Sequence, residues 1–328
     1  MIGDRGILMN TRFVLLTAAA LAASLPALAQ PDYPAKPVSL IVPFSAGGRT
    51  DVIGRIMAQH LQTALGKPVA VVNKPGASSV LGANEVAEAK PDGYTLGFFS
   101  TSAVTAQYTV PTPMSLKNYR LIAIVNSDPA AIAVADKAPW QTLKDLVDDA
   151  RKKPGQLRIG MIPGASAQIF AAGFARAAGV DLINVPFKGD SEGAIALAGG
   201  HIEAHVAVPV AYKSLVDAKK VRILAVGADA RSPLYGDAPT FRENGVDLTI
   251  GAFHGVFAPN GTPTAIVDKV ADALQAALGS RELNERMNDV GAAIVFLRGA
   301  EAQAYLENQD KAYRTIIDAL GLRVAKSP

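Results

Sequence analysis

Short apolar runs alternate with amphipathic stretches along most of the chain. Residues 38–43 form an apolar, β-branched run bounded by Pro37 on one side and by Phe44 and Ser45 on the other. From about Thr50, Val52, Ile53, Ile56, Met57, Leu61, Ala64 and Leu65 recur at helical spacing, and Gly66-Lys67-Pro68 ends the pattern. Residues 69–72 read as a second strand. A helix after Ser79 stops at Lys90-Pro91-Asp92-Gly93, where proline fixes φ and glycine permits a positive one. Residues 94–99 read as a third strand. The alternation resumes with strands over 132–135, 157–160, 182–185 and 203–206, separated by helices over 142–151, 165–178 and 191–198. From Thr262 onward the pattern is mostly helical, and Tyr305, Leu306, Ala312, Tyr313, Ile316 and Ile317 give the last helix one apolar stripe.

Strands separated by helices predict an α/β fold with mostly parallel sheets covered on both faces. The 328 residues exceed what one core normally holds, so two lobes are expected. No polar linker divides them, which leaves strands that cross from lobe to lobe. Residues 121–136 hold two apolar runs flanking Asn126-Ser127-Asp128-Pro129, and residues 221–228 are a long apolar run leading into a polar stretch. These two segments are the predicted hinge. They make residues 31–125 plus 229–328 the first lobe and residues 126–228 the second.

The N-terminus adds a compartment. Arg12, an apolar run over 13–23 and the small-x-small pattern Ala27-Leu28-Ala29 read as a cleaved export signal over residues 1–29, with Met1 or Met9 as the start. The run is too short for a membrane span, which needs about 20 apolar residues. Without those residues the chain carries 30 basic and 28 acidic side chains, a balance that argues against nucleic acid as a partner. There is no cysteine, so disulfides, thiolate metal sites and thiol catalysis are excluded.

In open α/β sheets, ligands bind beyond the carboxyl ends of strands, where helix N-termini point. Phe44, Ser45, Ala46, Gly47 and Gly48 join the first strand to its helix; two glycines admit close backbone approach, and the first helical N–H groups attract anions. Thr50 and Asp51 are placed to cap that helix. Ser100 and Thr101 follow the third strand. Pro163, Gly164, Ala165, Ser166 and Gln168 open a helix of the second lobe, and Pro186, Phe187, Lys188 and Gly189, followed by Asp190, open the next. Converging from two lobes, these loops form a cleft rich in backbone donors and hydroxyls, suited to a carboxylate.

Enzymatic chemistry finds little support. No Gly-Lys-Ser/Thr follows the first loop, and no dinucleotide fingerprint is present. Gly164-Ala165-Ser166 begins a nucleophile elbow, but Gln168 stands where its second glycine belongs. His201, Glu203 and His205 share a face if their segment is a strand, a metal-triad pattern that more commonly serves packing. The expectation is a non-enzyme with no metal and no cofactor.

Seven segments resemble one family in combination. They are Tyr33-Pro34-Ala35-Lys36-Pro37, Val42-Pro43-Phe44-Ser45-Ala46-Gly47-Gly48, Lys90-Pro91-Asp92-Gly93-Tyr94-Thr95-Leu96, Val185-Pro186-Phe187-Lys188-Gly189, Arg222-Ile223-Leu224-Ala225-Val226, Arg231-Ser232-Pro233 and Ala258-Pro259-Asn260-Gly261-Thr262-Pro263. In this order they resemble the Bug-type extracytoplasmic solute receptors, the binding subunits of tripartite tricarboxylate transporters. The resemblance spans the chain from Tyr33 to the last helix. It implies a monomeric periplasmic binding protein of the two-lobed Venus flytrap kind, type II-like, with two crossover hinge strands. Such a receptor closes on a small organic carboxylate and delivers it to the transporter's membrane subunits. It also implies that Ser45, Gly47, Gly48, Asp51, Ser100 and Thr101 face Gly164, Ser166, Gln168, Phe187 and Lys188 across the cleft. A sensor that docks on a membrane kinase ectodomain needs the same closing lobes and is the alternative; an exported hydrolase is the remote one.

Two departures from the family pattern bear on the ligand. The loop before the second-lobe helix reads Gly160-Met161-Ile162-Pro163-Gly164-Ala165-Ser166-Ala167-Gln168, more apolar than usual and with Gln168 in place of a histidine. At Ala207-Val208-Pro209, where some members place an aspartate for a ligand ammonium, no acid occurs, so Val208 is counted with the cleft wall. The expected ligand is a carboxylate with an uncharged body, unless Asp51 is free to meet an ammonium.

Overall fold

The computed structural model describes residues 33–162, 166–232, 235–236 and 238–324. The proposed export signal therefore lies outside the described residues, as do Pro163, Gly164 and Ala165. The chain divides into a leading unit, Met1–Ala35, and a body, Lys36–Pro328. Of the leading unit, only Tyr33, Pro34 and Ala35 are described, and the Tyr33–Pro34 bond is cis.

The body carries two sheets. In the first, strands β1 (Val38–Val42), β2 (Val69–Asn73), β3 (Thr95–Ser100), β4 (Tyr119–Pro129), β10 (Gly251–Pro259) and β11 (Ile294–Arg298) lie in the order β11-β4-β10-β3-β1-β2. In the second, β5 (Ala131–Ala135), β6 (Arg158–Met161), β7 (Ile183–Pro186), β8 (Ala204–Ala207) and β9 (Val221–Val226) lie in the order β7-β6-β8-β5-β9. The described helices are α1 (Arg49–Leu65), α2 (Val80–Glu88), α3 (Thr101–Thr109), α4 (Leu143–Lys152), α5 (Ser166–Ala178), α6 (Asp190–Ala198), α7 (Lys213–Asp217), α8 (Thr264–Leu278), α9 (Arg281–Asp289) and α10 (Gly299–Ala319). None is long and apolar enough to cross a membrane.

Local sequence explains most boundaries. In α1, Ile53, Ile56, Met57 and Leu61 are buried on one face. It ends at Gly66, whose left-handed φ of 68° lets its N–H return to the Gln62 carbonyl. Thr142 and Asp145 cap α4 reciprocally.

The architecture is α/β with two lobes, but only part of each sheet is parallel. β1 pairs in parallel with β2 and β3, and β6 with β7 and β8. β10 runs antiparallel to β3 and β4, β11 to β4, and β5 to β8 and β9. The cause is the traffic between lobes. β4 leaves the first sheet and β10 enters it, so the two run in opposite directions, and β5 enters the second sheet against the strands that run toward the cleft.

The crossing is narrow. Ala130 alone separates β4 from β5. Its N–H donates to the Ile250 carbonyl at 2.9 Å, its carbonyl accepts from the Gly227 N–H at 2.7 Å, and the Ile250 N–H donates to the Gly227 carbonyl at 2.9 Å. Three chain segments thus meet side by side. A side chain at Gly227 would fall 2.6 Å from the Ile250 carbonyl oxygen, and one at Gly251 2.4 Å from that of Asp128, so glycine is what lets them close up. Beyond β9, Thr240 bridges Val226, and Phe241, Val246 and Ile250 join the second-sheet core beside Phe174. The last helix spans both cores: Ala302 and Leu306 pack under the first sheet, while Tyr313, Ile316 and Ile317 pack with the second.

Candidate functional site

Because β1, β2 and β3 are parallel, the loops that follow them share one end of the first sheet; those after β6, β7 and β8 share one end of the second. In the first of these loops Ser45, Ala46, Gly47 and Gly48 are exposed and Phe44 is half-buried. Gly47 has φ +81°. Gly48 is the N-cap of α1 and has no side chain to satisfy the helix's first N–H groups.

Asp51 supports this loop from below and is 2% exposed. One of its oxygens accepts from the Gly47 N–H at 2.8 Å and from Arg55 Nε at 2.9 Å; the other accepts from Asn73 Nδ2 at 2.8 Å. Asn73 also donates to the Phe44 carbonyl, tying β2 into the loop. Burial raises the Asp51 carboxyl, but the hydrogen bonds from Arg55, Gly47 and Asn73 outweigh it and hold it below its ordinary value. Asp51 is therefore an ionised clamp on the loop, and it is not free to meet a ligand ammonium.

The next two residues up the chain point toward the crossing. Arg49 donates to Asp128 Oδ2 at 2.7 Å and to the carbonyls of Val290 and Gly291 at 2.7 and 3.1 Å. Asp128, 1% exposed, also accepts from the Ala293 N–H. Thr50 Oγ lies 3.1 Å from His254 Nε2, and His254 Nδ1 lies 2.7 Å from Asn126 Oδ1. Asn126 spends its amide N–H on the Ala293 carbonyl, so its oxygen faces the ring. Nδ1 of His254 then carries the proton, and Nε2 accepts from Thr50. Burial, with the Arg49 charge adding to it, pushes the pKa of His254 down to about 3, and the ring lies stacked on Phe98. The sequence reading missed this chain of polar groups. Its only trace was the interruption of apolar runs by Asn126, Asp128 and His254.

The hydroxyls at the end of β3 and the start of α3 are committed as acceptors. Ser100 caps α3 by accepting from the Ser102 N–H, and Thr101 accepts from the Phe253 N–H at 2.9 Å. A further loop at this end went unnoticed: Ala77, Ser78 and Ser79 all have positive φ (46°, 52° and 82°), a left-handed turn that non-glycine residues rarely make. It precedes α2, and Ser79 is 2% exposed.

In the second lobe Ser166 and Gln168 are half-buried at the start of α5. The rings of Phe187 and His205 lie nearly perpendicular with centroids 6.3 Å apart, and Pro186 and Lys188 are exposed. Gly189 is the N-cap of α6 and Asp190 its first residue. Val208 is half-buried and packs on the second core. Met161 differs from its expected place in the cleft wall: it ends β6 and is buried in that core. A cavity of about 450 Å³ is lined in part by Pro209, Val210, Ile223, Asn288 and Gly291, so both lobes border it.

The metal-triad pattern comes apart. Glu203 holds Arg158 through both oxygens, at 2.8 and 2.6 Å, and His205 is buried with Nδ1 3.0 Å from the Tyr212 hydroxyl. Among the described residues no group of three potential ligands could hold a metal ion. The starts of α1 and α3 thus gather at one end of the first sheet, and those of α5 and α6 at one end of the second. Helix starts of this kind attract anions.

The family model described as the tripartite tricarboxylate transporter family receptor matches residues 53–322. A UPF0065 protein from the gbd 5′ region of Cupriavidus necator is 31% identical over 316 residues, covering 94% of this chain and 95% of its own. A ligand-free solute-binding protein of the same family from Polaromonas, 30% identical, superposes with a TM-score of 0.81 over 88% of this chain and 99% of its own. MatC from Rhodopseudomonas palustris, solved with bound malate, is 26% identical with a TM-score of 0.66, over 87% of this chain and all (100%) of its own.

Proposed function

We infer the function from one premise: the chain belongs to the tripartite tricarboxylate transporter receptor family. It is a solute-binding receptor, not an enzyme, and serves a tripartite transporter as its family does. Its ligand is a small carboxylate, held in the cleft between the lobes and passed to the membrane subunits. The observation that carries this reading is the loop from Phe44 to Gly48: exposed backbone leading into a helix start with no side-chain cap, its turn held in advance of binding by Asp51 through the Gly47 N–H. The malate bound to MatC supports a carboxylate. The contacts of Phe241, Val246 and Ile250 favour a first lobe of residues 36–129 and 251–324 and a second of 130–250, which moves the return crossing from 229 to 251. Export to the periplasm by a signal over residues 1–29, and a monomeric receptor, complete the proposal.

A thermal-shift screen of mono- and dicarboxylates tests it. A true ligand should stabilise the protein by ~2.7 kcal/mol at a hundredfold excess over its Kd. A flat response to every carboxylate would count against the reading.

A further inference from the structure

One acid at the end of the second sheet where α5 and α6 start has a buried oxygen with no hydrogen-bond partner among the described residues. Asp190 is the first residue of α6, in the loop that follows β7. Its Oδ1 is buried and finds no hydrogen-bond donor among the described residues. Two charged or polar neighbours sense it, one from each lobe. The positive charge of Arg49, at the start of α1 in the first lobe, favours its ionised form. The negative charge of Asp190 in turn adds to burial in raising the Tyr212 hydroxyl. Asp190 thus opens its helix at the end of the second sheet where the loops after β6, β7 and β8 gather.

Neither neighbour completes it. Arg49 spends Nη1 on Val290 and Nη2 on Asp128 and Gly291. Tyr212 donates its proton to the His205 carbonyl at 3.0 Å and accepts from His205 Nδ1, so its hydroxyl has nothing left to give. An unmatched buried acceptor is costly, and here it stands in a site otherwise built of N–H donors.

We propose that Asp190 is the specificity-determining residue of the cleft: it accepts a hydrogen bond from a hydroxyl or ammonium group carried next to the ligand's carboxylate. The ligand class is then a hydroxy acid or amino acid, not a carboxylate with a plain hydrocarbon body. This inference rests on the receptor reading above and replaces the expectation drawn from Ala207-Val208, where the sequence has no acid. Burial raises the Asp190 carboxyl in the free protein while Arg49 lowers it, as suits an acid awaiting a donor. The same carboxylate repels an acid whose second carboxylate would lie against α6, so it selects by exclusion as well as by attraction.

Calorimetry on matched triplets tests the role: succinate, malate and aspartate; glutarate, 2-hydroxyglutarate and glutamate; propanoate, lactate and alanine. Wild type should bind one substituted acid at least tenfold more tightly than its parent, about 1.4 kcal/mol. Asp190→Ala should erase that preference while leaving the parent acid's affinity equal or better. Asp190→Asn separates the two donors, since its carbonyl still accepts from a hydroxyl but no longer neutralises an ammonium: preference for a hydroxy acid should survive, and preference for an amino acid should fall tenfold or more. Circular dichroism of both variants checks that they fold. Binding with no preference among the triplets, in wild type and variants alike, overturns the role of Asp190 and leaves the receptor reading standing. Failure of every acid to bind, including those of the thermal-shift screen, overturns both.

Discussion

Gly47 and Gly48 are neighbours with different requirements. At Gly47 the backbone has φ +81° and its N–H is held by Asp51, so a side chain strains the turn although no atom blocks it. Gly48 has φ −72°, and an added Cβ would make only an ordinary contact with the Ser45 carbonyl at 3.4 Å. Gly47→Ala should therefore lower stability by about 1 kcal/mol, read by urea unfolding. Gly48→Asp should leave the unfolding midpoint within error and weaken carboxylate binding tenfold or more, about 1.4 kcal/mol, by placing a like charge at the helix start. Undiminished affinity in Gly48→Asp would reduce the loop to a plain turn. The glycine pair was legible in the sequence because a strand-to-helix turn has a local signature. The duty of Asp51 was only half legible: an acid in a first helical turn signals a cap, but its partner Asn73 arrives from another strand 22 residues away.

The elements built from continuous apolar runs were foreseen nearly to the residue, as in β1, β2 and α5. β10 and β11 were not. β10 carries Gly251, His254 and Gly255, which break the hydrophobic pattern, and it is held in the sheet centre by partners on both sides. His254 in β10 and His205 in β8 are both buried and neutral, with pKa values pushed down to about 3 and about 4 by burial. An unfolded histidine takes up its proton near pH 6.5. Above that pH both states are neutral and stability does not change. As pH falls below it, the unfolded chain gains protons that the folded protein refuses, so stability is lost between about pH 6.5 and the folded values. Urea unfolding at pH 7.5 and 5.5 should show a loss of roughly 1 kcal/mol per histidine, on the order of 2–3 kcal/mol together. His254→Gln should be less stable than wild type at pH 7.5, yet lose about 1 kcal/mol less on going to pH 5.5. An identical loss in wild type and variant would show that His254 is not held neutral by its strand.

At the scale of the molecule, the two lobes communicate through a neck and a strap. The neck is the triple contact of Ala130, Gly227 and Ile250, residues far apart in sequence, which is why the sequence indicated crossing segments but not that three of them meet at one level. The strap is α10, whose Tyr313 is fully buried in the second core and donates its hydroxyl to the Gly251 carbonyl, the first residue of the returning strand. A neck this narrow leaves rotation as the easy motion, and a strap packed on both cores limits its range. Arg49 and Asp190 each open a helix, one on each sheet, and a ligand that bridges the α1 and α6 starts should draw the lobes together. Small-angle scattering should therefore give a radius of gyration for the ligand-free protein somewhat above the about 20 Å of a compact chain of this size. A saturating carboxylate, its binding established by calorimetry, should reduce that radius. Tyr313→Phe, which removes the strap's hydrogen bond to the neck, should cost about 1 kcal/mol of stability. It should also raise the radius of the free protein while leaving that of the bound protein unchanged, since only the open state relies on the strap to hold its angle. A radius that stays constant on binding in wild type would rule out closure about this neck and leave the cleft a fixed pocket.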